Sequence, residues 1–441
     1  MIVKIKKIVQ KYSGMLSVFR YIPFSVRLGK DYNFHKKQLV DYDSKSAREK
    51  DDYHYRKLKK IVEYAYENIH FYKFYYNSKG FEPSDFKSLS DFSKVPIITK
   101  SDLKKFDLSQ RSNLAKKAMK INTGGTSGAP LDFFVDENAF AREWAYMHSI
   151  WSKLEYTYLD LKLTFRGKNN GGTPLKYNVV HNEYIVDAYI PICEVVEAIQ
   201  LITKELTYIH GYPSAIYSFC KYLKDKNIDV SSVFKTKLKG VFLGSEYPAP
   251  HYRKLIEEVL KAPTLSWYGH SEMSILAYEK MEHFKYFPLQ TYGFVESVPT
   301  EIEHENRLIG TSYDNINSPF IRYDTGDLVK NEVYENDILA AFEISSGRVG
   351  DFILDELETP ISLTAIIFGR HHDAFNVIDF VQVEQKVKGK AILYIVSQKD
   401  IDISSFDFDN VNITFELKFI SSPYLTKSGK VSLLIKNCEQ I

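Results

Sequence analysis

Apolar residues recur at helical spacing from the start of the chain, where Ile2, Ile5, Ile8, Val9 and Tyr12 share a face and Lys4, Lys6, Lys7 and Lys11 fill other positions. The pattern predicts a short basic amphipathic helix over residues 1–12. It either lies in a membrane surface, lysines against anionic headgroups, or packs on the protein's own surface. Segment 53–77 carries Leu58, Ile61, Val62, Ala65 and Ile69 at the same period and reads as one helix covering a core. Pro83 and Pro96 punctuate the next stretch, and capping residues at 99–103 open another helix. Asp136 is placed to cap a helix over 139–151, with Phe140, Trp144, Met147 and Trp151 as its core face.

Beyond that helix, strands and helices alternate. A buried strand at 161–166 leads into a glycine- and asparagine-rich loop at 167–174. A helix at 194–205, a strand into 210–213, a helix begun by Pro213, a strand at 240–243, a helix at 250–260 and a strand at 264–267 come next. Alternation of this kind predicts helices packed on a largely parallel sheet, with ligands at the carboxyl ends of its strands. Segments 301–313 and 320–329 read as strands, broken by a turn at 323–327. Glycines flank Arg348 in 347–351, where the pattern of elements restarts, so a domain boundary is expected there. The last part has a strand at 391–396, an amphipathic segment at 377–387 and a terminal Thr426-Lys-Ser-Gly-Lys430.

Composition narrows the class. A chain of 441 residues exceeds one ordinary core, so a large domain plus a smaller one is expected. With 58 basic against 56 acidic residues the formal charge is +2, too weak a field to make nucleic acid the main partner, and a small-molecule enzyme fits better. Cys193, Cys220 and Cys438 lack ligand spacing, which suggests neither a disulfide framework nor a zinc site and fits a reducing cytoplasm. No apolar run is long enough to span a bilayer.

The candidate chemistry centres on Asn122-Thr-Gly-Gly-Thr-Ser-Gly-Ala-Pro130. Gly124, Gly125 and Gly128 let backbone N–H groups approach an anion, while Thr123, Thr126 and Ser127 add hydroxyl donors, so the loop reads as a phosphate cradle or as a polar hairpin turn. It is not a Walker loop, because Ala129 and Pro130 follow Gly128 where Lys and Ser/Thr would stand. Gly244-Ser245-Glu246 follows one predicted strand, and Tyr268-Gly269-His270-Ser271-Glu272 follows another. Tyr268 can stack on a purine, and Glu272 can hold magnesium or balance a helix start. Asp327, after Thr325 and Gly326, is a candidate acceptor for ribose hydroxyls or simply a turn residue.

In order and spacing these motifs resemble the adenylate-forming ligase superfamily, most closely its phenylacetate-coenzyme A ligase-like group, over nearly the whole chain. Residues 123–130 resemble the family's Ser/Thr/Gly loop, with Ala129 where that loop usually has lysine. Residues 268–272 match Tyr-Gly-x-Thr-Glu with Ser271 for threonine, 325–327 match Thr-Gly-Asp, and Gly347, Arg348 and Asp351 match Gly-Arg-x-x-Asp. The terminal segment is similar to the motif whose last lysine contacts carboxylate and phosphate, here Lys430. Residues 21–29 and 380–385 look like a branch associated with capsular or surface polysaccharide biosynthesis.

The resemblance implies an α/β protein: a large N-terminal adenylation domain over 1–347 with mixed sheets and flanking helices, and a small mobile α+β domain over 351–441, hinged near 348–351. It implies ATP and Mg2+ as cofactors. A carboxylic acid becomes an acyl-adenylate with loss of pyrophosphate, then passes to an acceptor. The glycine loop would hold phosphates, Glu272 the metal, Tyr268 and the 244–246 turn the adenine, Asp327 and Arg348 the ribose, and Lys430 the reacting groups. Residues 355–361 replace the stretch that flanks the pantetheine channel in phenylacetate-type ligases. With Asp355, Glu356 and Glu358 there, an amine or hydroxyl on a sugar or lipid-linked sugar is expected as acceptor at the inner membrane face. Coenzyme A, or a ligase-fold binding protein without catalysis, is the alternative.

Overall fold

The computed structural model describes residues 21–114, 117–123, 131–166, 168–202, 204–245, 248, 250–280, 282–300, 306–346, 352–363, 366–367, 372–397, 399, 401–409, 411–421, 424 and 433–435. The 1–12 helix and the 348–351 hinge lie outside these residues.

The fold is mixed α/β. Near the N-terminus, Gly29–Asp43 (α1) is followed by Ala47–Asn68 (α2), which Ser46 and Glu49 start with a reciprocal capping box. The single helix expected over 53–77 is two. Ile69 takes an extended conformation (φ −126°, ψ 116°) between α2 and His70–Ser78 (α3). Periodicity cannot show this break, since both halves keep an apolar face and Ile69 itself is buried. Buried His54 sits between two tyrosines, its Nε2 2.7 Å from Tyr42 Oη and its Nδ1 2.6 Å from Tyr313 Oη. Burial holds it neutral, with a pKa pushed down to about 3.

Strands Ala118–Asn122 (β1) and Asp132–Asp136 (β2) form an antiparallel hairpin around the glycine loop. Helix Ala139–Trp151 (α4) comes next, but Asp136 does not cap it. Asn138 is the N-cap, without a side-chain bond, while Asp136 stays on β2, accepts the Asn138 N–H at 2.9 Å and pairs with Arg142 at 2.8 Å. The guanidinium takes the carboxylate that a cap would have used. Trp151 and Met147 are buried as expected, whereas Phe140 is 48% exposed and Tyr146 and Ile150 complete the core face.

Next come Leu161–Phe165 (β3), Leu175–Asn178 (β4), Glu183–Val186 (β5), helix Ile192–Gln200 (α5), Leu206–Gly211 (β6), helix Pro213–Asp225 (α6), Gly240–Leu243 (β7), helix Pro250–Leu260 (α7) and Thr264–Gly269 (β8). Helix α5 ends five residues before the expected 205, where the chain turns into β6. Then Leu276–Glu279 (β9), Lys285–Pro288 (β10), Gly293–Pro299 (β11), Asn306–Ser312 (β12), Tyr323–Glu335 (β13) and Ile338–Ser346 (β14) complete a 12-stranded sheet, ordered β11-β12-β13-β14-β10-β9-β8-β7-β6-β3-β5-β4. Strands β5, β3, β6, β7 and β8 run parallel; the remainder pair antiparallel. The turn expected to break the chain at 323–327 is absorbed into β13 instead, with Gly326 at φ +76°.

Helices α5, α6 and α7 bury Val195, Ile199, Ile216, Phe219 and Ile256 on one face of the parallel strands, against Leu163, Ile209 and Val241. Helix α4 covers the other face through Tyr146, Ile150 and Trp151, against Tyr208, Phe242 and Leu265. Side-chain alternation along β3 therefore puts Lys162 and Thr164 under α4. Residues after 351 pair among themselves. Phe352–Leu354 (β15) and Pro360–Ser362 (β16) form one antiparallel pair, while Ile378–Val387 (β17), Lys390–Ser397 (β18) and Thr414–Phe419 (β19) form a three-stranded sheet over a separate core of Ile353, Val383, Leu393, Ile395 and Leu433.

Candidate active site

Three parallel strands end level with one another, Phe165 on β3 pairing Gly211 on β6 and Gly211 pairing Leu243 on β7, while β8 pairs Leu243 through Ser266 and runs on to Gly269. The chain leaves each strand at this edge, where an open α/β sheet has free backbone groups and space for a ligand. Gly244 and Ser245 leave β7 here. A Cβ on Gly244 would sit 2.1 Å from the Trp267 ring, so only glycine allows that indole to lie over the turn, and Ser245 follows at φ +70°.

Strand β8 ends in Tyr268 and Gly269 and is anchored through buried Glu279 on β9. Both Glu279 oxygens meet Arg253 Nη2 of α7, at 3.0 and 2.9 Å, and they also accept the Ser266 and Phe284 N–H groups at 3.0 and 2.7 Å. A charge-assisted contact of this kind fixes the register at which β8 delivers its last residues. The Tyr268 hydroxyl donates to Asp327 Oδ2 at 2.6 Å, across 59 residues of sequence. Asp327 is itself held by its N–H to Thr325 Oγ1 at 3.2 Å, the hydroxyl of which donates to Leu308 O at 2.8 Å.

After Gly269 the chain turns through His270, Ser271, Glu272 and Met273, the last at φ +53°, into β9; no helix starts at Glu272. The buried Glu272 carboxylate lies with Oε2 3.1 Å from His270 Nδ1 and accepts the Tyr323 hydroxyl on Oε1 at 3.2 Å. His270 Nε2 lies 3.2 Å from Ser274 Oγ. Nearby Glu143 accepts the Tyr292 hydroxyl at 2.6 Å; burial raises its pKa, against the Tyr292 bond and the charges of Arg142 and His270.

Among the sequence-predicted site residues, Thr123, Gly244, Ser245, Tyr268, Gly269, His270, Ser271, Glu272 and Asp327 are described. Tyr268 is bonded to Asp327, and Glu272 is joined to His270 and, through Tyr323, to the first residue of the strand that carries Asp327. Thr123 closes the neck of the β1–β2 hairpin, its Oγ1 accepting the Leu131 N–H at 2.9 Å and its N–H donating to Leu131 O at 3.0 Å. Gly124, Gly125, Thr126, Ser127, Gly128, Glu246, Arg348 and Lys430 lie outside the described residues.

Magnesium binds through one or two carboxylates plus substrate phosphates, keeping several waters. Glu272 fits that donor set as a single carboxylate. No group of three or more His, Cys, Asp or Glu that could hold a metal occurs among the described residues.

In the acidic stretch at 355–361, Asp355 is buried, and its Oδ1 accepts the Leu357 and Thr359 N–H groups at 2.9 and 2.7 Å. Its carboxylate thus shapes the β15–β16 turn, where the backbone N–H groups need acceptors. Glu356 and Glu358 are exposed, and Glu358, at φ +63°, pairs with Lys388.

Sequence reasoning missed a polar cluster on the α4 face of the sheet. Lys162, buried in β3, pairs with Glu183 of β5 at 3.1 Å and donates to His181 O at 3.0 Å. Glu183 also accepts the Thr164 hydroxyl and the Asn178 amide, both at 2.7 Å. Burial works to raise the Glu183 pKa, but Lys162, His181 and the Thr164 bond outweigh it and hold the carboxyl far below its usual range. One strand along, Arg166 reaches His210 of β6, Nη2 to Nε2 at 3.3 Å. The signal was present: a lysine within Leu161–Phe165 has to find a buried partner.

No protein-family model matches the chain. It is 24% identical over 376 residues to protein CapK of Staphylococcus aureus, covering 79% of this chain and 81% of that one. It is 34% identical over 76 residues, 17% of each chain, to phenylacetate-coenzyme A ligase of Aromatoleum evansii. A structure of 2-hydroxyisobutyryl-CoA ligase, in complex with 2-HIB-AMP and CoA, superposes with a TM-score of 0.57 at 17% identity, covering 88% of this chain and 90% of that one. The likeness establishes the fold: a large N-terminal and a small C-terminal part, with mixed sheets and flanking helices.

Proposed function

We propose that the chain is an adenylate-forming ligase of the phenylacetate-coenzyme A ligase-like group, which activates a carboxylic acid with ATP and passes the acyl group to an acceptor. The carboxylate oxygen attacks the α-phosphorus, the bond to the β-phosphate oxygen breaks, and pyrophosphate leaves the acyl-adenylate. The acceptor then attacks the acyl carbon and AMP departs. One observation carries this reading: the 2.6 Å bond between Tyr268 and Asp327, which unites two motifs chosen independently in the sequence.

The chain's residues bind and orient; no protein nucleophile is needed. The Gly244–Ser245 turn and Tyr268 take the adenine, and the Asp327 oxygen not used by Tyr268 accepts from the ribose, to which Arg348 donates. The 123–128 loop cradles the phosphates, and Ala129 leaves that loop without the family's lysine, so backbone donors do more of the work; Glu272 would hold a magnesium ion, which would supply the remaining positive charge. His270 and Tyr323 fix the Glu272 carboxylate, which keeps the site pre-organised. Lys430 completes the site from the 351–441 domain, which turns at 348–351 about Gly350, a residue that tolerates large φ/ψ changes.

Glu272→Gln keeps the shape and removes the charge, so MgATP is expected to bind about ten-fold more weakly while AMP binds as before. Calorimetric titration with both nucleotides checks it; equal loss of both, or of neither, contradicts the metal role.

For the acceptor we propose an amine or hydroxyl on a sugar-linked intermediate of surface or capsular polysaccharide synthesis. The support is the likeness of residues 21–29 and 380–385 to the branch associated with capsular or surface polysaccharide biosynthesis. The second reading, thioester formation, is favoured by the fold shared with a CoA-binding ligase. AMP release is expected to rise with amino sugars or lipid-linked sugars and not with coenzyme A. Thioester formation with no sugar or amine product would restore the acyl-CoA ligase reading. No described helix is long and apolar enough to cross a membrane; a peripheral contact through residues 1–12 at the inner membrane face is part of the same proposal.

A further inference from the structure

Among the described residues of the cluster under α4, the charges of Arg166 and Arg27 act on Lys162, and Lys162 neutralises Glu183, with which it pairs at 3.1 Å. Arg27 is spent on backbone carbonyls, donating to Val180 O at 2.8 Å. Arg166 is different. It is half-buried where β3 ends, and no carboxylate lies within 4 Å of it among the described residues. Its one contact among them is His210, and because a guanidinium only donates, His210 Nε2 must accept. That fixes the proton of His210 on Nδ1, and burial with the neighbouring charge of Arg166 keeps the ring neutral. The Nδ1 atom is buried with no hydrogen-bond partner among the described residues, as is the indole Nε1 of Trp151, whose ring centroid lies 5.0 Å from that of His210. A buried N–H without a partner is costly, so a site with two of them beside a guanidinium that meets no carboxylate among the described residues is arranged for an acceptor-rich ligand.

The position on the sheet says which ligand. Arg166 leaves β3 at the level edge where Gly244 leaves β7, with only β6 between them, hence about 10 Å away at the usual strand spacing. A molecule reacting beside the nucleotide and extending along this edge reaches the guanidinium with its far end. The rings of Trp151 and Trp267 both pack on that of His210, at centroid distances of 5.0 and 5.9 Å, so the imidazole sits in an apolar setting at this edge.

We propose that Arg166 and His210 bind a second anionic group on the acid substrate, a carboxylate, phosphate or sulfate borne several bonds from the reacting carboxylate. The inference rests on the ligase reading and specifies its substrate class: a polar acid with two anionic ends, unlike an aryl or alkyl monocarboxylate. Arg166 is a specificity-determining residue here. It does not touch the reacting atoms.

The full-length protein is incubated with ATP, Mg2+ and two pools of acids, one of aryl and alkyl monocarboxylates and one of dicarboxylates, phosphorylated and sulfated acids. Acyl-adenylates are detected by mass. The second pool is expected to supply the adenylates, and Arg166→Gln to raise KM for the acid about 100-fold with little change in KM for ATP. Arg166→Lys should recover part of that loss, which a merely structural role would not produce. Adenylates formed from monocarboxylates at equal rates by wild type and Arg166→Gln would overturn the inference and leave the ligase reading standing. No adenylate from either pool would overturn the ligase reading and the inference with it.

Discussion

Replacing Lys430 by alanine is expected to cut adenylate formation by roughly 10²–10³-fold while leaving transfer from a supplied acyl-adenylate nearly unchanged. In the first step negative charge gathers on the α-phosphate as carboxylate and pyrophosphate flank it, and one cation delivered there stabilises the transition state more than the ground state. In the second step AMP is the leaving group and the acceptor attacks carbon, so the same cation has little left to do. The asymmetry is the informative part. A variant that merely unfolds loses both steps, whereas one that lacks the terminal cation loses only the first. Single-turnover assays on ATP plus acid and on synthetic adenylate separate the two. Adenylate formation at the wild-type rate would remove Lys430 from the site.

The largest stability effect is expected at Glu183. Glu183→Gln keeps the volume but leaves the Lys162 ammonium buried under Trp151 and Tyr156 without its counter-ion. Breaking a buried pair on one side costs about 3–5 kcal/mol, because the remaining charge is desolvated and uncompensated. Replacing both partners, Lys162→Met with Glu183→Leu, should recover much of the loss, since neither charge then remains. The pH dependence has a definite sign. The folded Glu183 carboxyl has a pKa below its unfolded value of about 4.3, so its contribution is full above that pH and fades as pH falls toward the folded value. The gap between wild type and Glu183→Gln in urea unfolding should therefore narrow on acidification below about pH 4. A gap under about 1 kcal/mol at neutral pH would show that Lys162 is not held by this carboxylate.

What the sequence disclosed and what it hid divide along physical lines. The places of Tyr268 and Glu272 were legible because they depend on local context: a polar residue at or just past the end of an apolar strand sits at a sheet edge whatever the rest of the chain does, whereas Asp327, expected in a turn, lies within β13. The parallel strands β3, β6, β7 and β8 were legible for the same reason, as apolar runs alternating with helical periods, whereas the short β5 was not. The pairing of Lys162 with Glu183 was not, because it joins neighbouring parallel strands and no spacing rule links residues so placed. The kink at Ile69 was hidden by a periodicity that continues through it, and Asp136 failed as a cap because Arg142 competes for the same carboxylate at 2.8 Å. Asp355 was hidden in another way: its charge suggested a surface group beside an acceptor, whereas it is buried and its Oδ1 accepts two N–H groups of the β15–β16 turn.

If the chain makes an acyl-adenylate, that step runs backwards when pyrophosphate is supplied. Labelled pyrophosphate is added with ATP, Mg2+ and candidate acids, and label entering ATP is followed. Exchange is expected to depend on the acid, to require magnesium, to fall in Glu272→Gln and to need no acceptor. Folded protein that binds MgATP yet exchanges no label with any acid, or that releases ADP and phosphate instead of AMP and pyrophosphate, would contradict adenylate formation.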